Sequence, residues 1–214
     1  MDKLLITKHP PALSSPLYVL GLSGQSEFGR VATRMLINRT GAELFAEYYS
    51  NHFPDHVIIT EDGTCRPLRY EFYESSLSSP HLLVANGDDG ITLENPESGY
   101  EVLDELVALG ITCAASSLIL VDAIQTDSDN SVYVSATKSS ILRNLERKGA
   151  KVLRDTRLLG QAGIILGICR FHSLSAVGIF PTISPKDNLE AKADATLKFI
   201  ENSFKLRYPA QEPS

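Results

Sequence analysis

The chain has 214 residues, a formal net charge of −6, 43% hydrophobic and 21% charged residues. That is enough for one ample core with an ordinary globular composition, and the acidic balance disfavours wholesale nucleic-acid binding, which leaves a basic footprint. No apolar run reaches the roughly 18 residues of a spanning helix, no basic run marks a membrane surface, and the scattered Cys65, Cys113 and Cys169 give neither a disulfide framework nor zinc spacing.

The first stretch, MDKLLITKHPPALSS, is broken by Pro10 and Pro11 and lacks the apolar core of a signal peptide. It reads as an N-terminal extension, residues 1–15, of a cytoplasmic protein. The chain then settles into PLYVLGLSGQSEFGRVATRML. Residues 17–20 form an apolar run suited to a strand covered on both faces. Gly21 and Gly24 allow a sharp turn, and Phe28, Val31, Ala32, Met35 and Leu36 recur at helical spacing. Gly41 closes that helix, and 42–50 reads as extended. Residues 57–60 and the alternating Leu68, Tyr70 and Phe72 are expected to pair as a hairpin, with a turn at Asp62-Gly63.

Residues 82–85 give the next strand, ending in the acidic turn NGDDG. Ser98 and Glu101 form a capping box that predicts a helix start, with Gly110 as its end. A strand follows at 118–121, then a polar turn at 127–131 and a short strand at 132–134. A helix then buries Ile141, Leu142 and Leu145, and stops at Gly149. The most apolar segment, 160–183, divides by length into a helix over 161–172 and a strand over 176–180. Ser184-Pro185 is expected to start the last helix, with proline at its favoured first position and Leu189, Ala193, Leu197, Ile200 and Phe204 inward. Residues 207–214 read as a loose polar tail. The alternation predicts an α/β fold, a single-domain three-layer sandwich over residues 16–206 with a mostly parallel sheet.

Several residues can carry chemistry. The Gly21, Ser23, Gly24 loop with Arg30 one turn on is a candidate anion cradle at a helix N-terminus. It matches neither the dinucleotide fingerprint nor a Walker loop, so tight turning and close helix–strand approach is the favoured reading. Asp88 and Asp89 fall at a strand end, where open α/β sheets bind ligands, but they are also ordinary turn residues. Asp122 is a similar candidate. Ser26 adds a hydroxyl beside the loop. His52 and His56 mimic a metal pair, yet Pro54 between them opposes the helix that would align them. Cys169 and His172 suggest a thiol–imidazole couple, although both fall in an apolar segment where a cysteine is mostly a small hydrophobe. No metal or cofactor is expected.

Taken in order, PLYVLGLSGQSEFG, NGDDG, GYEVLDELVALGI, VYVSATKSSILRNLERKGAKV, GQAGIILGICRFHSLSAVGIFPTI and KDNLEAKADATLKFI resemble the proteasome assembly chaperone family, in particular its archaeal members. The resemblance implies a nucleoside-phosphorylase-like α/β fold without an established catalytic activity. It also implies a homo-oligomer that engages proteasome α-subunits. Some members of the family dock through a C-terminal hydrophobic–tyrosine–any-residue motif. This sequence has Leu206-Arg207-Tyr208-Pro209, but six residues follow the tyrosine. The rival expectation is an enzyme or small-molecule binder that places phosphate or nucleoside at the 21–24 loop, with Arg30 and Asp88 or Asp89 taking part.

Overall fold

A computed structural model describes residues 3–22, 26–89, 91, 93, 96–126 and 129–209. Along the chain, β1 (Lys3–Thr7) and β2 (Leu17–Gly21) precede helix α1 (Phe28–Thr40). Then come β3 (Glu43–Ser50), β4 (Val57–Ile59), β5 (Cys65–Pro67), β6 (Tyr70–Ser75) and β7 (Leu82–Gly87). The second half alternates: α2 (Pro96–Thr112), β8 (Ser117–Val121), β9 (Ile124–Gln125), β10 (Val132–Ala136), α3 (Ser139–Glu146), β11 (Lys151–Val152), α4 (Gly160–Phe171), β12 (Ala176–Ile183) and α5 (Leu189–Phe204).

The main sheet runs in the order β1-β3-β6-β7-β2-β8-β12-β10-β11, with β9 also paired to β12. Its centre is parallel: Leu17 is level with Leu82 of β7 and Ser117 of β8, and Leu118 of β8 with Ala176 of β12. The β1-β3-β6-β7 flank and the β10-β12 pair are antiparallel. The sheet is therefore mixed, parallel at its centre, where helices cover both faces, and again in the β10–β11 pair at its edge.

Alternation along the central strands divides the core into two layers. Tyr18 and Leu20 point to the face covered by α2 and α4, where they meet Leu103, Leu106, Ile165 and Cys169. Leu17 and Val19 point to the opposite face, against Ala32, Leu36, Leu197 and Ile200 of α1 and α5. These side chains are essentially water-free, and burying each contributes about 1.5–3 kcal/mol. The Tyr18 hydroxyl is satisfied by donating to the Leu106 carbonyl at 3.0 Å. Gly110 makes room for its ring: a Cβ there would lie 2.4 Å from Tyr18 Cδ1. On the other face, Arg39 of α1 ion-pairs with Asp194 and, at 3.2 Å, with Glu201 of α5.

Five local expectations are corrected. Residues 57–60 do not pair with the 68–72 run; β4 instead pairs with β5 in a separate hairpin, and β6 joins the main sheet between β3 and β7. The α2 helix begins at Pro96, ahead of the predicted capping box, and passes through Gly110. The last helix begins at Leu189 and is capped by Asn188, whose side chain accepts from the Ala191 N–H at 3.0 Å. Ser184 and Asp187 instead close a turn before it. The segment ahead of Pro16 supplies the edge strand β1, paired antiparallel to β3. Arg207, assigned to a loose tail, exchanges two backbone hydrogen bonds with Ser79. Gly41, by contrast, caps α1 in the left-handed conformation as expected.

Candidate functional site

The glycine turn that follows β2 is shaped by contact between α1 and the sheet. A Cβ at Gly21 would lie 2.3 Å from the Gly29 carbonyl oxygen, and one at Gly29 the same distance from that of Val121. Both positions need a residue without Cβ because backbone meets backbone there. Arg30 turns to Glu27, Nη2 to Oε2 at 2.6 Å, rather than out towards a ligand. Ser23 and Gly24 lie outside the described residues.

Beside this turn, at the C-terminal ends of β2 and β8, a cleft of about 510 Å3 opens between Leu22, Phe180 and the first turn of α4. Asp122 directly follows β8 and lines it, together with Ser26, Gln125 and Gln161. The Asp122 carboxylate accepts from the Ala123 N–H at 2.8 Å. Burial pushes its pKa up to about 6, against 3.8 for an ordinary aspartate. Among the described residues Ser26 Oγ and Gln161 Oε1 are buried without a hydrogen-bond partner.

The other acidic candidates are placed differently. Asp88 accepts two bonds from Arg66, at 2.5 and 2.8 Å, and a third from the Arg69 N–H at 2.9 Å. Its carboxylate ties the β4–β5 hairpin to the end of β7. Asp89, next to it, is exposed. Arg30 and Asp88 are thus each engaged by other side chains, Glu27 and Arg66. His52 faces Glu101 at 2.9 Å, whereas His56 donates its backbone N–H to Pro54 in an irregular stretch. His172 turns to Asp104 of α2 at 2.8 Å, and Cys169 is fully buried, its thiol pushed up to about 12. No group of three or more metal-ligating side chains occurs among the described residues, and no helix there is long and apolar enough to cross a membrane. Leu206 is buried and the Tyr208 hydroxyl donates to Glu201 at 2.6 Å, so this segment is engaged within its own fold.

A second surface lies in the apolar 160–180 stretch, where the sequence does not separate core from a face free for self-association. Between α2 and α4 runs a groove of about 620 Å3. Gly163, Gly167 and Phe171 of α4, four residues apart, form one row of it, and Leu159, the N-cap of the helix, stands at its start. Leu159 is 79% exposed, Phe171 is 89% exposed, and Tyr100 of α2 adds a third exposed apolar side chain. The row was visible in LGQAGIILGICRF, but α4 is apolar nearly all round, so periodicity alone could not separate its outer row from its core row.

Comparison with known proteins agrees with this architecture. The chain is 25% identical to an uncharacterised protein of Methanocaldococcus jannaschii over 169 residues, 77% of this chain; it spans 64% of that relative's length. Among solved structures it resembles Pyrococcus furiosus PbaB, an archaeal proteasome activator, with a TM-score of 0.84 and 20% identity over 97% of this chain and 91% of that one. It also resembles PbaA from the same organism, an archaeal homologue of proteasome-assembly chaperone, with a TM-score of 0.75 and 19% identity over 98% and 84% of the two chains. These likenesses establish the fold. The family model that matches residues 18–212 takes in both core layers, the strand-end cleft and the whole of α4, and by that match the chain belongs to the PAC2 family.

Proposed function

We propose that this chain is a non-catalytic, self-associating protein of the proteasome-assembly-chaperone kind, which holds proteasome α-subunits or a related protein partner. Family membership and the likeness to PbaB, a proteasome activator, and PbaA, a homologue of proteasome-assembly chaperone, support the partner class. The layering is in keeping with the phosphorylase-like fold that the family resemblance implies, and the work is assigned to the cytoplasm.

The observation that carries the reading is the outer row of α4. Large apolar side chains stand at its two ends and glycines in the middle, so the row reads the same in both directions. A second copy laid antiparallel sets Leu159 over Phe171 of its mate, and Gly163 over Gly167. Rows four residues apart interdigitate with a crossing angle near −50°. Glycines at the crossing let the backbones approach, and the large ends fill the space where the helices diverge. Nothing lies within 4 Å of a Cβ built on Gly167, so the row is open to a partner there, whereas a Cβ on Gly163 would lie 2.2 Å from the Leu158 carbonyl oxygen of the same chain. Such a contact is isologous and closes as a two-fold pair.

The partner assignment is tested by immobilising the chain and presenting purified proteasome α-subunits. Capture of α-subunits, without turnover when nucleosides and phosphate are supplied, supports the reading. No capture, together with nucleoside cleavage, overturns it.

A further inference from the structure

The strand-end cleft has an electrostatic imbalance that protein docking on α4 does not use. Its lining is mainly apolar, with Leu22, Leu158 and Phe180 among the walls. Asp122 is the only charged side chain among the described residues that line it; no lysine, arginine, histidine or second carboxylate is among them. Among the described residues no ion pair involves Asp122, and the one hydrogen bond to its carboxylate comes from the adjacent Ala123 N–H. Ser26 and Gln161 line the same cleft, and their Oγ and Oε1, both able to accept, are buried with no hydrogen-bond partner among the described residues.

A buried carboxylate without a counter-charge is costly, as is each buried polar atom left unpaired. Three such groups in one cleft are better explained by a ligand than by packing. The first turn of α4 also lines the cleft without a side-chain cap, but among the described residues none of its N–H groups bonds these three, which lack a positive charge and a donor. The cleft lies where open α/β sheets bind ligands, and its 510 Å3 falls within the ~300–1,000 Å3 usual for small-molecule sites.

We infer that this cleft binds a small organic cation, an amine or amidinium on an apolar body, with Asp122 as its counter-ion and Ser26 and Gln161 as its hydrogen-bond acceptors. The raised Asp122 carboxyl is what an unpaired site shows, since a bound cation would hold it lower. The inference stands independently of any role in proteasome assembly.

The test is calorimetric titration of the full chain with benzamidine, with benzamide as its neutral isostere and benzoate as its anionic one. Benzamidine is expected to bind roughly 10-fold or more tightly than benzamide, as a charge-assisted hydrogen bond requires, and benzoate not at all. Asp122→Asn is expected to lower benzamidine affinity by a similar factor, while Asp89→Asn, outside the cleft, leaves it unchanged. Carbon NMR of the Asp122 carboxyl supplies a readout that needs no variant: its titration midpoint moves to lower pH when benzamidine is present. Equal affinity for benzamidine and benzamide, unchanged affinity in Asp122→Asn, or an unmoved carboxyl midpoint at saturating benzamidine overturns the inference, as does failure of benzamidine to bind.

Discussion

Arg66 and Asp88 form a two-bonded ion pair, Nη1 to Oδ2 at 2.5 Å and Nη2 to Oδ1 at 2.8 Å, with both side chains largely covered. The acidic turn at a strand end is thereby spent on holding a hairpin in place. Substituting Asp88 by Ala leaves the Arg66 guanidinium and the Arg69 N–H without their acceptor. The expected cost is about 1–3 kcal/mol, measured by urea unfolding. Arg66→Ala in the same background should add little, because the partner it would lose is already gone.

Gly29 separates close packing from ligand binding as the reason for a glycine. An Ala Cβ there meets the Val121 carbonyl oxygen at 2.3 Å and the Leu22 backbone at 2.5 Å. These are backbone atoms of the sheet and cannot swing aside. Gly29→Ala should cost roughly 2–3 kcal/mol or more, seen as a lowered Tm. An unchanged Tm would contradict the close approach of α1 to β2 and β8.

The strand-end aspartate gives a pH signature whose sign differs from that of a salt-bridged carboxylate. Its folded pKa, about 6, lies above its ordinary 3.8, so the folded state binds the proton more tightly. Stability from this group is therefore fully present below about pH 3.8, is lost as pH rises through about 6, and stays level above. Asp122→Asn removes the penalty. It should stabilise the chain on the order of 1–3 kcal/mol at pH 7.5 and by much less at pH 4. Equal gains at both pH values would show that the carboxyl is not buried as described.

The central strands were legible because strands covered on both faces must be nearly continuous apolar runs, as 17–20, 82–85, 118–121 and 176–180 are. The edge strand β1 was not, since KLLIT carries no period-two alternation and all five of its residues are exposed. The hairpin was mispaired because residues 65–67, ending at Pro67, lack apolar patterning, whereas Leu68 and Tyr70 are buried core and Tyr70 opens the strand of the main sheet. Asp122 was legible as a strand-end acid. Its companions Ser26 and Gln161 reach the same cleft from distant stretches of chain, and only the topology brings them together. The glycines of the opening turn carried a real signal, of which Gly21 and Gly29 now have a steric explanation.

Exposed positions on α4 separate fold from assembly. Leu159→Ala and Phe171→Ser should change stability by no more than about 0.5 kcal/mol, because these side chains are 79% and 89% exposed. Chemical unfolding at low protein concentration checks this. A large loss would mean that they support the monomer's core.

Sedimentation velocity of the wild-type chain and of Gly167→Glu, over a range of concentrations, tests self-association through the α4 row most directly. A Cβ at position 167 meets nothing within 4 Å in the monomer and glutamate favours the helix by about 0.5 kcal/mol over glycine, so the variant should fold at least as well. The account predicts a wild-type assembly of two or more copies and a monomeric Gly167→Glu. A wild-type monomer at every concentration, or an assembly that Gly167→Glu leaves intact, would contradict it.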